Sequence, residues 1–225
     1  MTKRTVGYTA LLAVLTLIAA SLIAGFMLPA DMQLPIHWGL SGEADGFAGK
    51  WVALLAPPAM VALISLVFQF LPAIEPRKEG LARSEGLYLW GWLALLILGA
   101  AIELAVLSAA FDWGVPVPRL MFGTAAVMFV LIGNQLGKSR RMYLIGVRTP
   151  WTLASEEVWI KTHRLCGKLM MLGGLALLIA ALLPLAQSVL VGIALAVVVI
   201  AAGVPVLYSF IAWRRENAQR DQASG

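Results

Sequence analysis

Residues 133–168 read GNQLGKSRRMYLIGVRTPWTLASEEVWIKTHRLCGK, the longest run in the chain that lipid would reject. Around it lie six apolar runs, at about residues 6–28, 51–71, 87–110, 117–137, 167–185 and 189–212. Each reaches the roughly 18 residues that an α-helix needs to cross a bilayer core. The chain is 60% apolar and 13% charged, with a mean hydropathy of +0.86. A soluble domain has only about 45–50% apolar residues. The expected fold is therefore all-α: a polytopic membrane protein with six transmembrane helices. Pro57, Pro58, Pro184 and the Gly203/Pro205 pair should kink helices or loosen their ends. Lys3 and Arg4 before the first run resemble the start of a secretory signal, but the run exceeds the about 7–15 residues of such a segment. An uncleaved first span is expected.

The net charge of +5 and pI near 9.7 do not indicate direct nucleic-acid binding, because the basic residues sit between apolar segments instead of gathering on one soluble face. Their distribution predicts orientation. Of the 17 Lys and Arg, only Lys50 and Arg119 fall on one side of a six-span arrangement. The rest cluster with the termini, at 77–83 and in 133–168, and cytoplasmic loops hold such charge. Both termini and the 133–168 loop are expected in the cytoplasm. The single Cys166 excludes an internal disulfide, and no spacing suits zinc, so neither metal nor cofactor is expected. The unequal outer loops show no inverted repeat of the kind transporters carry.

The first outer loop, DMQLPIHWGLSGEADGFAGKW at 31–51, is punctuated by Pro35, Gly39, Gly42, Gly46 and Gly49, so repeated turns are expected instead of a long element. His37, Trp38, Asp45 and Lys50 place an aromatic body and charges at the outer interface. Trp38 and Trp51 read either as interfacial anchors or as part of a recognition surface. The fragment Glu43-x-Asp45-Gly46 lacks the remaining oxygen ligands of a calcium loop.

In the inner loop, Lys138, Arg140 and Arg141 suit anionic lipid headgroups. Pro150 disfavours helix at Thr149, and Ser155 is a candidate N-cap with Glu156 and Glu157 in the first turn. Glu157, Lys161, Arg164 and Lys168 then recur at helical spacing opposite Val158, Trp159, Thr162, Leu165 and Cys166. An amphipathic cytoplasmic helix lying on the inner membrane surface before the fifth span is expected, serving either as an anchor or as a docking surface. Glu103 lies within the third span, roughly 10 Å from its outer end, and an ionisable group at that depth is a functional candidate. Arg119 at the outer end of the fourth span is its candidate partner, although a lone carboxylate also serves simply as a bond across a helix interface.

Gly133-Asn134, Tyr143, Ile145-Gly146, Arg148 to Leu153, Glu156 to Trp159, Lys161 to Arg164 and Gly167-Lys168 together closely resemble the signature of the SdpI immunity-protein family. Pro35 to Trp38 with Gly42, Asp45-Gly46 and Lys50 resembles the small DUF1648 membrane domain that precedes that signature. The resemblance implies a bacterial inner-membrane protein that protects its cell from an exported peptide toxin. For some members it implies a second role, in which the engaged protein holds a transcriptional repressor at the membrane. It implies residues 1–72 as a DUF1648-like region and 73–225 as a four-helix region carrying the signature at 133–174. Candidate toxin contacts are then His37, Trp38, Asp45 and Lys50. Candidate inner-partner residues are Asn134, Arg148, Trp151, Glu156, Trp159, His163 and Lys168. A small transporter or exporter using Glu103 is the competing class. An enzyme is not expected, since no nucleophile with a base, metal set or phosphate-cradling loop is present.

Overall fold

The computed structural model describes residues 2–224. Six helices are long and apolar enough to cross a membrane: α1 (Lys3–Met27), α2 (Lys50–Ile74), α4 (Glu85–Phe111), α5 (Val117–Leu136), α7 (Glu156–Leu182) and α8 (Gln187–Ser224). Two five-residue helices, α3 (Lys78–Ala82) and α6 (Pro150–Ala154), lie in the connections on the side of the termini. The expected all-α polytopic architecture is the one observed. Large apolar side chains such as Leu12, Phe26, Leu63, Leu172 and Leu207 point outward from the spans, where lipid replaces water as solvent.

The helices pack as two groups of three. One holds α1, α2 and α4, the other α5, α7 and α8, and α4 against α5 joins them. Without a hydrophobic drive between helices in lipid, close packing depends on small residues. A Cβ on Gly167 would lie 2.6 Å from the Gly133 carbonyl oxygen, so α5 and α7 meet there backbone to backbone. One apolar core, including Trp92, Leu96, Met142 and Trp159, fills the half nearer the termini. A smaller one around Leu34, Leu54 and Val106 fills the opposite half.

Proline leaves the carbonyl four residues earlier without its N–H. Pro58 frees the Leu54 carbonyl, which accepts from the Ser21 hydroxyl of α1 at 2.8 Å. Pro205 frees the Ala201 carbonyl, and the Cys166 thiol of α7 donates to it at 3.4 Å. At these two prolines a neighbouring side chain stands within hydrogen-bond reach of the freed carbonyl, and both helices continue through them.

Two expectations are corrected. Residues 31–51 do not merely turn: β1 (Gln33–Trp38) and β2 (Ala44–Gly49) pair as an antiparallel hairpin. Its register shifts near His37, and the reversal uses Gly42 at φ 93°, where a side chain would be strained. The amphipathic lead-in is not a separate surface helix either. It forms the first turns of α7, which runs unbroken from Glu156, eleven residues before the expected start of the span. No proline interrupts it, and Gly167 seats the helix against α5. Its faces divide as the spacing predicts, with Glu157, Lys161, Arg164 and Lys168 exposed and Val158, Trp159, Thr162, His163 and Cys166 buried.

Candidate functional site

Two places concentrate polar groups and folded backbone, one at each end of the helices.

At the hairpin end, β1 packs against α2 and α4 and faces the ends of α5 and α8 across a gap. Beneath it a cavity of about 330 Å³ is lined mainly by apolar groups, among them Ile36 and Trp38 of the hairpin, Ile102 of α4, Met121 and Phe122 of α5 and Val191 of α8. His37 stands at its edge with Nδ1 2.5 Å from Asp45 Oδ1 of the opposite strand, and both side chains are exposed. The strand pairing therefore brings His37, Trp38 and Asp45 together. Lys50 is elsewhere. Its side chain is 7% exposed, and its ammonium group donates to the Gly25 and Leu28 carbonyls at 2.8 and 2.7 Å. It thus satisfies the last turn of α1, where carbonyls have no helical partner and the dipole favours a cation.

Glu103 and Arg119 do not meet. Arg119 donates to the Ala181, Leu183 and Leu185 carbonyls at the end of α7. Glu103 is 1% exposed and faces α1, where the Ser21 hydroxyl lies 2.8 Å from Oε1, and Oε2 has no protein partner. Ser21, the freed Leu54 carbonyl and Glu103 thus form a buried polar contact among α1, α2 and α4.

At the other end, residues 138–149 fold onto the start of α7. Trp159 and His163 are fully buried and stacked, with ring centroids 3.9 Å apart. His163 Nε2 accepts from the Val147 N–H at 2.8 Å, and Nδ1 lies 2.8 Å from the Trp159 carbonyl. Only a neutral ring carrying its proton on Nδ1 satisfies both contacts. Both nitrogens are thereby occupied, so His163 is not free to join Cys166 on a metal. Among the described residues no group of three or more His, Cys, Asp or Glu is placed to hold one. Trp159 Nε1 donates to Ser139 Oγ at 3.2 Å. Gly146, at φ 122°, crosses the stacked rings, and a Cβ there would lie 2.5 Å from His163 Nε2.

Around this centre Arg148 donates to the Tyr143 carbonyl at 2.7 Å, and Thr149 makes a capping box with Thr152. Trp151 packs on Phe210 of α8 at 5.0 Å. Glu156 lies 3.7 Å from Arg141 Nε. Asn134 and Lys168 are exposed on α5 and α7. The sequence reading passed over Glu75, which is 1% exposed and accepts from the backbone N–H groups of Arg77, Tyr143 and Leu144. It also missed the ties from the loop to α8, Thr149 to Ser209 at 3.0 Å and Ser155 to Glu216 at 2.6 Å. A carboxylate just past an apolar span, followed directly by Pro76, Arg77 and Lys78, was the available signal for Glu75.

Six apolar helices with folded backbone and polar groups at either end define a multi-pass membrane protein. Residues 138–209, which hold the Trp159/His163 centre, match the SdpI/YfhL protein family, and residues 11–62, which hold the hairpin, match the domain of unknown function DUF1648. The chain is 25% identical over 189 residues to the protein named Immunity protein SdpI of Bacillus subtilis (strain 168), covering 84% of this chain and 87% of that one. No solved structure matches. Both family models and this relative agree that the chain is similar to SdpI proteins over most of its length.

Proposed function

We propose that this protein confers immunity to an exported peptide toxin, acting by binding and not by catalysis. The observation that carries the reading is the similarity to an immunity protein over most of both chains. The apolar cavity under the hairpin supports it, since a membrane-active peptide is itself amphipathic and suits an apolar slot edged by the His37/Asp45 pair. Residues 1–72 form the receiving part and 73–225 the responding part. His37, Trp38 and Asp45 meet the peptide, and Lys50 holds the hairpin's exit against α1.

The Lys and Arg asymmetry supports placing the termini and the Trp159/His163 centre in the cytoplasm, with the hairpin outside. In that orientation the exposed Asn134, Arg148 and Lys168, together with Trp151 and Glu156, are available to a cytoplasmic partner such as a transcriptional repressor. The buried Trp159 and His163 set the shape that the partner meets.

Expression in a sensitive strain challenged with a panel of secreted membrane-active peptides tests the reading. Protection is expected from the natural chain, and weaker protection from His37→Ala with Trp38→Ala at equal protein level in the membrane. Unchanged sensitivity to every peptide would overturn it. Orientation is checked with a membrane-impermeant maleimide: Ser41→Cys should label in intact cells and Arg215→Cys only after permeabilisation.

A further inference from the structure

On the side of the termini, a cavity of about 610 Å³ opens between α3 and the segment following α5. Arg77, Lys78 and Arg83 line it from the α2–α4 connection, and Arg140 and Arg141 from the other wall. Only two carboxylates, Glu79 and Glu156, face these five cations. Glu156 is already shared, lying 4.0 Å from Arg140 Nε and 3.7 Å from Arg141 Nε.

The cations differ in how they are held. The Arg77 guanidinium is fixed by its Nη2 bond to the Tyr143 hydroxyl at 3.1 Å and lies 4.5 Å from that ring's centroid. Its Nη1 is buried with no hydrogen-bond partner. Among the described residues, the side chains of Lys78 and Arg83 make no hydrogen bond or ion pair. Like charges converging on a cleft repel unless an anion neutralises them, and a buried N–H without an acceptor is costly. The converging charge is met by one anionic group with several oxygens.

We propose that this cleft binds a phosphate group, as a phospholipid headgroup or a free phosphate anion. A guanidinium held in place at the cleft wall, flanked by two unengaged cations, suits the several oxygens of phosphate. The exposed Phe70 and Ile74 of α2 lie immediately before the cleft, so it stands at the headgroup level of the leaflet on that side. The proposal does not depend on the immunity reading.

The test uses the purified full chain, its Lys78→Gln/Arg83→Gln variant, and an Arg214→Gln/Arg215→Gln variant that removes equal charge from exposed positions outside the cleft. Thermal stability is measured in nanodiscs of phosphatidylcholine with and without phosphatidylglycerol, and in lipid-free detergent with inorganic phosphate. Stabilisation of the natural chain and of the control is expected, with affinity about tenfold weaker in the cleft variant. A response to phosphatidylglycerol alone assigns the site to lipid, and a response to inorganic phosphate assigns it to the free anion. The proposal is overturned by equal weakening in both variants or by no response to either probe.

Discussion

Gly146→Ala should loosen the cap formed by residues 138–149 without touching any exposed surface. At φ 122° an alanine is strained by about 1–3 kcal/mol. Its Cβ would also lie 2.5 Å from His163 Nε2 and 2.9 Å from Trp159 Cη2, so the loop must lift away. Lifting breaks the Val147 to His163 bond and leaves a buried ring nitrogen unpaired, a further about 1–3 kcal/mol. The sum centres near 4 kcal/mol. At about 2–4 °C per kcal/mol for a chain of this size, melting of the purified protein should fall by roughly 8–16 °C. Gly192→Ala in α8 is the control, because a Cβ there meets nothing within 4 Å and helix propensity favours it. Adding His163→Ala distinguishes a clash from general damage. The two changes share one contact, so the double variant should lose less than the sum of the singles. A melting shift under about 2 °C, or strict additivity, would refute the account of Gly146.

Lys50→Met should destabilise by about 2–4 kcal/mol, because it strips the Gly25 and Leu28 carbonyls of their donor, and thermal melting in detergent reads this directly. Glu75→Gln replaces one acceptor oxygen with an amide that opposes the converging N–H groups. It should cost about 2–3 kcal/mol and show as faster protease cleavage within 138–149. Ser155→Ala removes both the α7 N-cap and the hydrogen bond to Glu216 Oε2, leaving Arg220 on Oε1. A loss of about 1–2 kcal/mol is expected, with faster hydrogen exchange at Glu156 to Val158.

The spans were legible because lipid demands long apolar runs and prolines mark their weak points. The beginning of α7 was misjudged because a charged face such as Glu157 to Lys168 reads the same on a surface helix as on the polar end of a spanning one. The hairpin was hidden because QLPIHW and ADGFAG lack clean alternation and carry Pro35 and Gly46, residues that usually disfavour strands. Of the outer candidates, His37, Trp38 and Asp45 were brought together by a pairing register that no local spacing encodes. Lys50 looked like a surface charge because its acceptors are backbone carbonyls 22 and 25 residues earlier. Trp159 and His163 stood out by type, but Gly146 owes its importance to rings 13 and 17 residues further on.

One helix reaches both caps. α8 contributes Val191 to the cavity under the hairpin and Glu216 to the opposite cap, with Pro205 between them. The segment from Pro205 to Glu216 is a lever arm of about 16 Å at 1.5 Å per residue. Bending α8 by about 5° at Pro205 would swing its tip by about 1.4 Å, which exceeds what the Ser155 to Glu216 bond tolerates at 2.6 Å. An occupant that shifts the far end of α8 has a short mechanical route to the fold around Trp159.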